Sequence, residues 1–375
     1  MKKKLLICVS VFVTLASAAA AYVILSSKPP VETQFIQNVR DDSKPSEVAV
    51  NIKNPSDSGI VPVTPGDYAL VDNFTHTYQT FNNCGPATLS MILSWHGEKI
   101  SQKELGDKMR PYQNQDGDND DKTIFTDEFA DWAKEYGYES IGRVNGDIEL
   151  LKKFAANGIP VVVKTWLHPN EDIGHFRVVR GFDESKEVII QDDSYEGPNR
   201  KIAYFDFLSM WQPFNYAYII VYKPEQKSLV EAIIGSEVDE SITWQNALDR
   251  AVKESQLTPD NVYPWFNMSV AYYHLSDYEN SIATFEKVES KLPRRMLWYE
   301  IGPILAYQKL GMNDRVFQII TNILENGNRA YSELYQIRGE IYLTQGNREL
   351  ARKEFEQAVF YNSNFEKAKE ALNDL

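Results

Sequence analysis

The C-terminal part of this 375-residue chain repeats with a period of 35 residues. Three sets of positions show the period, and they are Tyr272, Tyr307 and Tyr342, then Ser276, Gly311 and Gly346, then Phe285, Ile320 and Phe355. Periods of this length are typical of helical hairpins that bury one face only, so about three copies must stack to form a stable core. The period predicts an all-α repeat domain over residues 225–375.

Residues 265–293 and 335–359 resemble tetratricopeptide repeats. The matching positions are Trp265, Tyr272, Ser281, Phe285 and Pro293, then Gly339, Tyr342, Gly346, Ala351, Phe355 and Ala358. The middle copy departs from the pattern because Pro303 falls inside its first helix. The resemblance implies a concave surface that binds a protein partner or a peptide substrate. A purely structural or dimerising module is the alternative.

The first 25 residues form a membrane-targeting pattern. Three lysines precede an uncharged run from Leu5 to Leu25, which is long enough to cross a hydrocarbon core of about 30 Å as a helix. The lysines favour the cytoplasmic side, so the rest of the chain is predicted to be extracytoplasmic. Small residues from Ala18 to Ala21 leave a cleaved signal peptide and secretion as the alternative to a retained membrane anchor, which we favour.

Residues 26–65 are predicted to be a flexible linker, because they contain six of the 17 prolines and show no sustained period. The net charge of −14, without a local basic patch, argues against a nucleic-acid partner. Residues 116–127 are rich in aspartate and partly match a calcium-binding loop, with Asp116, Asp118, Asp120 and Asp127 at ligand positions. The glycine expected at the turn is Asp121, so we favour a solvated acidic loop. No cofactor or metal is predicted.

Residues 66–224 show the order of an α+β domain. Helices are expected from Cys84 to Gly97 and after three candidate N-cap residues, Ser101, Thr126 and Asp147. Segments with strand-like patterns follow, at residues 159–167, 175–183, 187–193 and 215–223. Several helices followed by a mostly antiparallel sheet predict an α+β layer arrangement.

Cys84 is the only cysteine outside the targeting segment, and it lies where the first of these helices begins. The positive end of a helix dipole favours a thiolate, so the position is suited to a nucleophile. A buried, inert cysteine is the alternative. A nucleophilic thiol also needs a base, and His168 and His175 are the serious candidates. His175 is preferred because it opens a strand directly after Gly174.

The hairpin after His175 suggests an acidic partner for this histidine. If Glu184 and Ser185 form a two-residue loop, Asp192 lies diagonally opposite His175 on the same face of the sheet. A register slip of one residue would place Asp193 there instead. The predicted register also puts Arg177 across from Asp192, so a plain cross-strand ion pair is the alternative role.

Gln79 lies five residues before Cys84, where its amide and the Cys84 backbone N–H can together bind an oxyanion. Gln79, "NNCGPATLSMILSWHG", "GHFRVVRGFD" and "IIQDDS" together resemble the papain-like bacteriocin-processing cysteine peptidases, which remove double-glycine leader peptides. The resemblance covers residues 66–224. It implies a papain-like fold with Cys84 as nucleophile, His175 as base, Asp192 as orienting residue and Gln79 in the oxyanion hole.

Two functions from different classes remain open at this stage. The first is an extracytoplasmic, membrane-tethered cysteine peptidase whose repeats recruit a protein partner or substrate. The second is a non-catalytic papain-like scaffold that binds peptides or proteins. Leader-peptide processing is not carried over, because exporter-linked members of the family carry a transporter in the same chain. The sequence here has no further membrane spans and no nucleotide-binding loop.

Overall fold

The computed structural model describes residues 59–113 and 123–375. The predicted membrane segment at residues 1–25, most of the predicted linker and most of the acidic loop lie outside the described residues. Among the helices in the described ranges, none has both the length and the apolar character required to cross a membrane.

The N-terminal half of the described chain is built on a seven-stranded antiparallel sheet. Its strands are β1 (Tyr68–Leu70), β2 (Glu139–Arg143), β3 (Val161–Trp166), β4 (Gly174–Asp183), β5 (Val188–Asp193), β6 (Gly197–Ala203) and β7 (Tyr218–Tyr222). The order is β2-β7-β3-β4-β5-β6, and β1 pairs with the end of β4. The sequence predicted β3, β4, β5 and β7. It missed β1, β2 and β6, which are short or largely exposed and therefore lack a continuous apolar pattern.

Helices cover both faces of this sheet. They are α1 (Cys84–Trp95), α2 (Gln102–Met109), α3 (Thr126–Lys134), α4 (Ile148–Ala156), α5 (Tyr204–Trp211) and α6 (Lys227–Ile234). Residues of α1 to α3, such as Met91 and Phe129, form one buried cluster with Val162 of β3 and Phe176 of β4. Residues of α4 to α6 form a second cluster with the opposite face of the strands. A sheet domain followed by helices confirms the predicted order of architectures.

Two of the three predicted helix caps are confirmed. The Ser101 hydroxyl accepts a hydrogen bond from the Glu104 N–H, and the Asp147 carboxylate accepts one from the Leu150 N–H. The third prediction is wrong, because Thr126 is already the first residue of α3. There the Glu128 carboxylate reaches back to the N–H of Phe125, the residue that precedes the helix.

The C-terminal half consists of paired helices. They are α7 (Glu240–Leu257), α8 (Val262–His274), α9 (Tyr278–Glu286), α10 (Met296–Tyr299), α11 (Gly302–Lys309), α12 (Asn313–Glu325), α13 (Ser332–Thr344), α14 (Arg348–Tyr361) and α15 (Glu366–Asn373). The 35-residue period has a structural cause at the turns inside the hairpins. Ser276, Gly311 and Gly346 adopt left-handed conformations with φ of 64°, 68° and 76°. The three equivalent positions about two turns into each second helix, Phe285, Ile320 and Phe355, are fully buried.

The middle repeat differs from its neighbours. Its first helix is divided into α10 and α11 by Glu300 and Ile301, and Pro303 occupies the first turn of α11. Proline is tolerated in a first turn, where its missing N–H has no helical partner. The departure from the repeat pattern that was predicted at Pro303 is therefore a break between α10 and α11.

The repeats and the sheet domain share a hydrophobic core. Trp166 at the end of β3 and Phe214 after α5 belong to the same buried cluster as Phe266 and Trp298 from the repeats. Trp166 contributes a further link, because its indole N–H donates to the Tyr263 hydroxyl at 3.1 Å. The repeats are thus packed against the end of the sheet where β3 leads into the loop before His175.

Candidate active site

Cys84 is the first residue of α1, as the sequence predicted. Pro86 lies in the first turn, and the Thr88 hydroxyl donates to the Phe176 carbonyl oxygen of β4 at 3.2 Å. The helix N-terminus is therefore fixed directly over the strand that carries His175. Cys84 is half-buried and lines a cleft, so its sulfur lies at the positive end of a helix dipole in the wall of a candidate ligand site.

The hairpin between β4 and β5 has a different register from the predicted one. The predicted two-residue loop is wrong: Asp183 pairs with Val188, and a 3-10 turn at Glu184–Lys186 precedes Glu187, which has φ of 51°. The pairing then shifts by one residue between Val179 and Gly181. The four-residue loop and the bulge together displace β5 near His175 by one residue from the predicted register.

Because of this displacement, the carboxylate beside His175 belongs to Asp193. The Nε2 atom of His175 lies 3.0 Å from Asp193 Oδ1, and Arg177 Nη1 lies 2.9 Å from Asp193 Oδ2. Asp192 instead binds Arg180, with Nη1 2.8 Å from Oδ1. The expectation that Asp192 contacts His175 is therefore wrong, since a one-residue shift exchanges the two faces of a strand. The two roles weighed for Asp192, orienting the histidine and pairing with Arg177, both fall to Asp193.

The thiol and the imidazole are paired. A side-chain hydrogen bond joins Cys84 to His175, and Asp193 occupies Nε2, so Nδ1 is the ring nitrogen that remains for the sulfur. Burial raises the pKa of the Cys84 thiol, but the hydrogen bond and charge of His175 and the Phe176 backbone N–H lower it, and the net pKa is below its ordinary value. Burial alone lowers the pKa of His175, yet hydrogen bonds to Asp193 and Cys84 outweigh it and raise this pKa.

Asp193 is held in its ionised form. Burial favours the protonated acid, but the hydrogen bond and charge of His175, the charge of Arg177 and a backbone N–H hold the pKa of Asp193 well below its usual range. Besides His175, its Oδ1 atom accepts from the N–H groups of Tyr195 and Glu196 at 2.8 and 3.0 Å. A carboxylate with these partners is fixed in place and can stabilise an imidazolium.

Gln79 lies in the same cleft as Cys84 and His175. Its backbone N–H donates to the Ser194 carbonyl oxygen at 2.8 Å, and its Oε1 accepts from the Ser194 hydroxyl at 2.8 Å. Because Oε1 is occupied in this way, Nε2 is the group that the amide can offer to a ligand. Ser194, the residue that directly follows Asp193, therefore orients the predicted oxyanion donor.

The other candidate base, His168, is engaged elsewhere. Its Nδ1 and Nε2 atoms lie 3.0 and 2.8 Å from Glu171 and Glu196 respectively. Among the described residues, no group of three or more His, Cys, Asp or Glu side chains is arranged to hold a metal ion.

Two residues near the thiol had no signal in the sequence. Lys164 of β3 is 3% exposed, donates to the Ile124 carbonyl oxygen at 3.0 Å, and has a pKa lowered to about 8 by burial. Tyr299 comes from the middle repeat and lines the cleft with Cys84. Burial raises the pKa of Tyr299 to about 12. Neither residue belongs to the motifs that carry the family resemblance. Tyr299 is more than 100 residues from Asp193, the nearest site residue in the sequence, so only the folded chain reveals its position.

The cleft has a volume of about 470 Å³. Its lining includes residues around Gln79 and the start of α1, the loop before His175 and residues of the repeats. A concave, largely apolar cleft with a few polar groups at its centre is the usual form of a ligand site. At this centre, a thiol paired with an imidazole that a carboxylate orients is the arrangement that activates a nucleophile.

Comparisons with known proteins agree with this division of the chain. Residues 71–219 match the model of the Peptidase_C39 like family, and residues 262–290 and 332–364 match the tetratricopeptide repeat model. No curated protein sequence matches the chain.

Several solved structures are similar to parts of the chain. The peptidase domain of Streptococcus ComA, a bifunctional ABC transporter involved in quorum sensing, aligns with 18% identity and a TM-score of 0.32, covering 40% of this chain and 99% of that domain. A double glycine motif protease from an AMS/PCAT transporter, in complex with the leader peptide, aligns with 20% identity and a TM-score of 0.30, covering 44% and 99%. TTC0263, a thermophilic repeat protein of Thermus thermophilus, aligns with 16% identity and a TM-score of 0.29, covering 35% and 72%. Together with the two family matches, the order of the elements identifies this chain as a Peptidase_C39-like domain followed by tetratricopeptide repeats.

Proposed function

We propose that this protein is a cysteine peptidase that hydrolyses peptide bonds by acyl transfer to Cys84. The observation that carries the proposal is the continuous chain from the Cys84 thiol through His175 to the Asp193 carboxylate, at the N-terminus of a helix. The pKa of the thiol is lowered and that of the imidazole is raised, which favours a thiolate–imidazolium pair. That pair is the reactive form of a thiol nucleophile.

In the proposed first step, the Cys84 thiolate attacks the carbonyl carbon of the scissile bond. A bond forms between Sγ and this carbon, and the carbonyl electron pair moves onto the oxygen. When the intermediate collapses, the C–N bond breaks and His175 gives its proton to the leaving amine. In the second step, water attacks the thioester, His175 accepts a proton from it, and the Sγ–C bond breaks to regenerate the thiolate.

Gln79 is proposed to stabilise the oxyanion that develops in both steps. Its Nε2 amide and the Cys84 backbone N–H would bind the oxygen together, while Ser194 fixes the amide through Oε1. Donors that are already oriented before charge develops cost no reorganisation during the reaction, which is why such groups contribute strongly to catalysis.

The repeats are proposed to recruit a protein partner or the protein substrate to this site. Helical repeats of this kind form extended surfaces for peptide segments. We also propose that residues 1–25 hold the peptidase domain outside the cytoplasm. Labelling of Cys84 in intact cells by a thiol reagent that does not cross membranes tests this placement. Protection of Cys84 until the cells are lysed would contradict it.

A peptide-library digest tests the peptidase proposal directly. Wild-type protein and Cys84→Ala are incubated with the same library, and new termini are identified by mass spectrometry. Cleavage by the wild type alone supports the proposal. If neither protein cleaves and the Cys84 thiol reacts like an ordinary cysteine, the alternative of a non-catalytic, peptide-binding scaffold is favoured.

A further inference from the structure

The break in the middle repeat brings part of the repeat domain to the catalytic cleft. The first helices of the flanking repeats, α8 and α13, each run for 13 residues without interruption. In the middle repeat the corresponding helix is divided, and the short helix α10 ends with Trp298 and Tyr299. Both residues line the same cleft as Cys84 and His175. The break that makes the middle repeat irregular therefore also places Trp298 and Tyr299 at the candidate active site.

Two contacts fix this part of the repeat to the loop that leads into His175. The Tyr299 ring lies against Gly174, where an added Cβ would be only 2.8 Å from the ring. Arg295 Nη1 lies 2.5 Å from Asp172 Oδ1, and its backbone N–H donates to Asp172 Oδ2 at 3.2 Å. Asp172 and Gly174 are three residues and one residue before His175. The wall of the cleft formed by the repeat is thus held in a fixed position relative to the catalytic base.

Besides the residues of the repeat, the lining of the cleft includes exposed apolar side chains. Phe81, Ile173 and Tyr195 all line the cleft and are 46%, 42% and 60% exposed. They come from the segment before α1, the loop before β4 and the turn after β5. Exposed apolar residues that converge from separate segments mark a binding surface more often than scattered ones do.

Trp298 adds an aromatic side chain to the same lining. It is 5% exposed, and its ring lies 3.5 Å from the position of an added Cβ at Gly327, the turn that follows α12. The ring is therefore supported from behind by the repeat domain. An aromatic ring that shares a cleft with several exposed apolar side chains favours a bulky apolar side chain as the ligand group, because the transfer of such a side chain from water is favourable.

We propose that the middle repeat forms one wall of the substrate-binding cleft, where Trp298 and Ile173 together hold a bulky apolar side chain of an extended peptide whose scissile bond reaches Cys84. This inference rests on the proposed peptidase function and adds a substrate class to it. In this proposal the middle repeat determines which substrate side chain is accepted near the scissile bond. This role is separate from any binding of a protein partner by the repeats away from the cleft.

The test compares two kinds of electrophile on the full-length protein. Iodoacetamide reports the reactivity of the Cys84 thiol without using the rest of the cleft. N-acetyl tripeptidyl chloromethyl ketones, with Leu, Phe, Ala or Lys at one position at a time, report recognition as well. The measured quantity is the recognition ratio, the alkylation rate of each ketone divided by that of iodoacetamide. At one position the wild type is expected to prefer Leu or Phe over Ala and Lys by at least about tenfold.

Two variants and one control complete the experiment. Trp298→Ala and Ile173→Ala should each reduce this preference severalfold or more, and the exposed Ile173 can be replaced with little risk to folding. Trp265→Ala, which removes a tryptophan from another repeat, should retain the wild-type preference. Thermal unfolding confirms that each variant is folded, and Trp298→Phe should restore most of the preference.

Two results would overturn the inference. One is a wild-type recognition ratio that is equal for all side chains, and the other is a preference that survives both Trp298→Ala and Ile173→Ala. The iodoacetamide rate separates these results from failure of the proposed function. An ordinary thiol rate in the wild type contradicts the peptidase itself, whereas a fast rate without side-chain preference contradicts only the inference.

Discussion

The His175 imidazole is held by Asp193, with Nε2 3.0 Å from Oδ1 in a pair whose side chains are 3% and 0% exposed. A carboxylate in this position keeps the other ring nitrogen directed at Cys84 and stabilises positive charge on the ring. Asp192, the neighbouring residue, makes its ion pair with Arg180 instead. The two aspartates differ in function although they are adjacent in sequence.

Asp193→Asn is expected to raise the pKa of the Cys84 thiol, because the imidazolium that stabilises the thiolate loses its own anionic partner. At neutral pH the rate of iodoacetamide alkylation should fall by about tenfold or more, since one pKa unit changes the thiolate fraction tenfold. Asp192→Asn is the matched control. It breaks a buried ion pair and should lower the free energy of unfolding without moving the alkylation profile. Equal profiles for the two variants would contradict the assignment of Asp193.

Hydrolysis of a peptide substrate is expected to follow a bell-shaped dependence on pH. The thiolate–imidazolium pair exists only above the pKa of Cys84 and below that of His175, and these are shifted down and up respectively. The acid limb should therefore lie below about 8.5 and the alkaline limb above about 6.5, the ordinary values of the two groups. Both apparent pKa values belong to the coupled pair. A profile that only rises through pH 8.5 would show that the thiol is not activated.

Gln79→Ala is expected to lower kcat by about 10² to 10³, the usual effect of removing one oxyanion donor. Activation of the thiol does not depend on this amide, so the midpoint of the alkylation profile should stay at the wild-type pH. Ser194→Ala tests the orienting contact, because it removes the hydroxyl that holds Oε1. It should give a smaller loss in kcat. A loss in kcat that is matched by a shift in the alkylation midpoint would assign Gln79 a different role.

Glu300 makes a prediction about stability. Burial raises its pKa to about 7, although its carboxylate accepts from the Gly302 N–H and lies near Lys164. Between about pH 4.5 and 7, Glu300 is therefore mostly protonated in the folded state and mostly ionised in the unfolded state. Because the unfolded state binds fewer protons, the contribution of this group to the free energy of unfolding falls as the pH rises through that range. Glu300→Gln removes the penalty. Its free energy of unfolding, measured by urea titration, should exceed that of the wild type more at pH 8 than at pH 4.5, and a constant difference would contradict this account.

Ser276 occupies a left-handed turn that glycine occupies in the next two repeats. An L-residue pays a steric cost of about 1–2 kcal/mol in this region, which glycine avoids. Ser276→Gly should therefore raise the free energy of unfolding by roughly 0.5–1 kcal/mol. Gly346→Ala is the complementary variant, and thermal unfolding should show it less stable than the wild type. Destabilisation by Ser276→Gly would mean that the serine side chain contributes more than its conformation costs.

The sequence was sufficient where local chemistry decides the structure. Cys84 begins a helix because Gly85 and Pro86 suit a first turn, and the period of 35 residues reflects turns at Ser276, Gly311 and Gly346 that only certain residues form readily. The resemblance to a peptidase domain with tetratricopeptide repeats is confirmed by the family matches. These features depend on residues that are close together in the chain.

The sequence was insufficient where structure depends on distant contacts. The choice between Asp192 and Asp193 is set by a four-residue loop and a bulge near Gly181, and no residue pattern specified either one. Gly181 itself has no room for a side chain, because an added Cβ would meet the Ala69 carbonyl of β1, a strand that the sequence did not predict. The position of Tyr299 at the cleft likewise depends on how the repeats pack against the sheet.

The central claim is that His175 activates the Cys84 thiol, and the pH dependence of alkylation tests it most directly. Iodoacetamide rates are measured between pH 5 and 9 for the full-length wild type and for His175→Ala, with Cys84→Ala as the blank that corrects for Cys8. The account predicts a wild-type midpoint below about 8.5, the value of an ordinary cysteine, and a shift of this midpoint to higher pH in His175→Ala. A wild-type midpoint at or above that value, unchanged by the substitution, would contradict it.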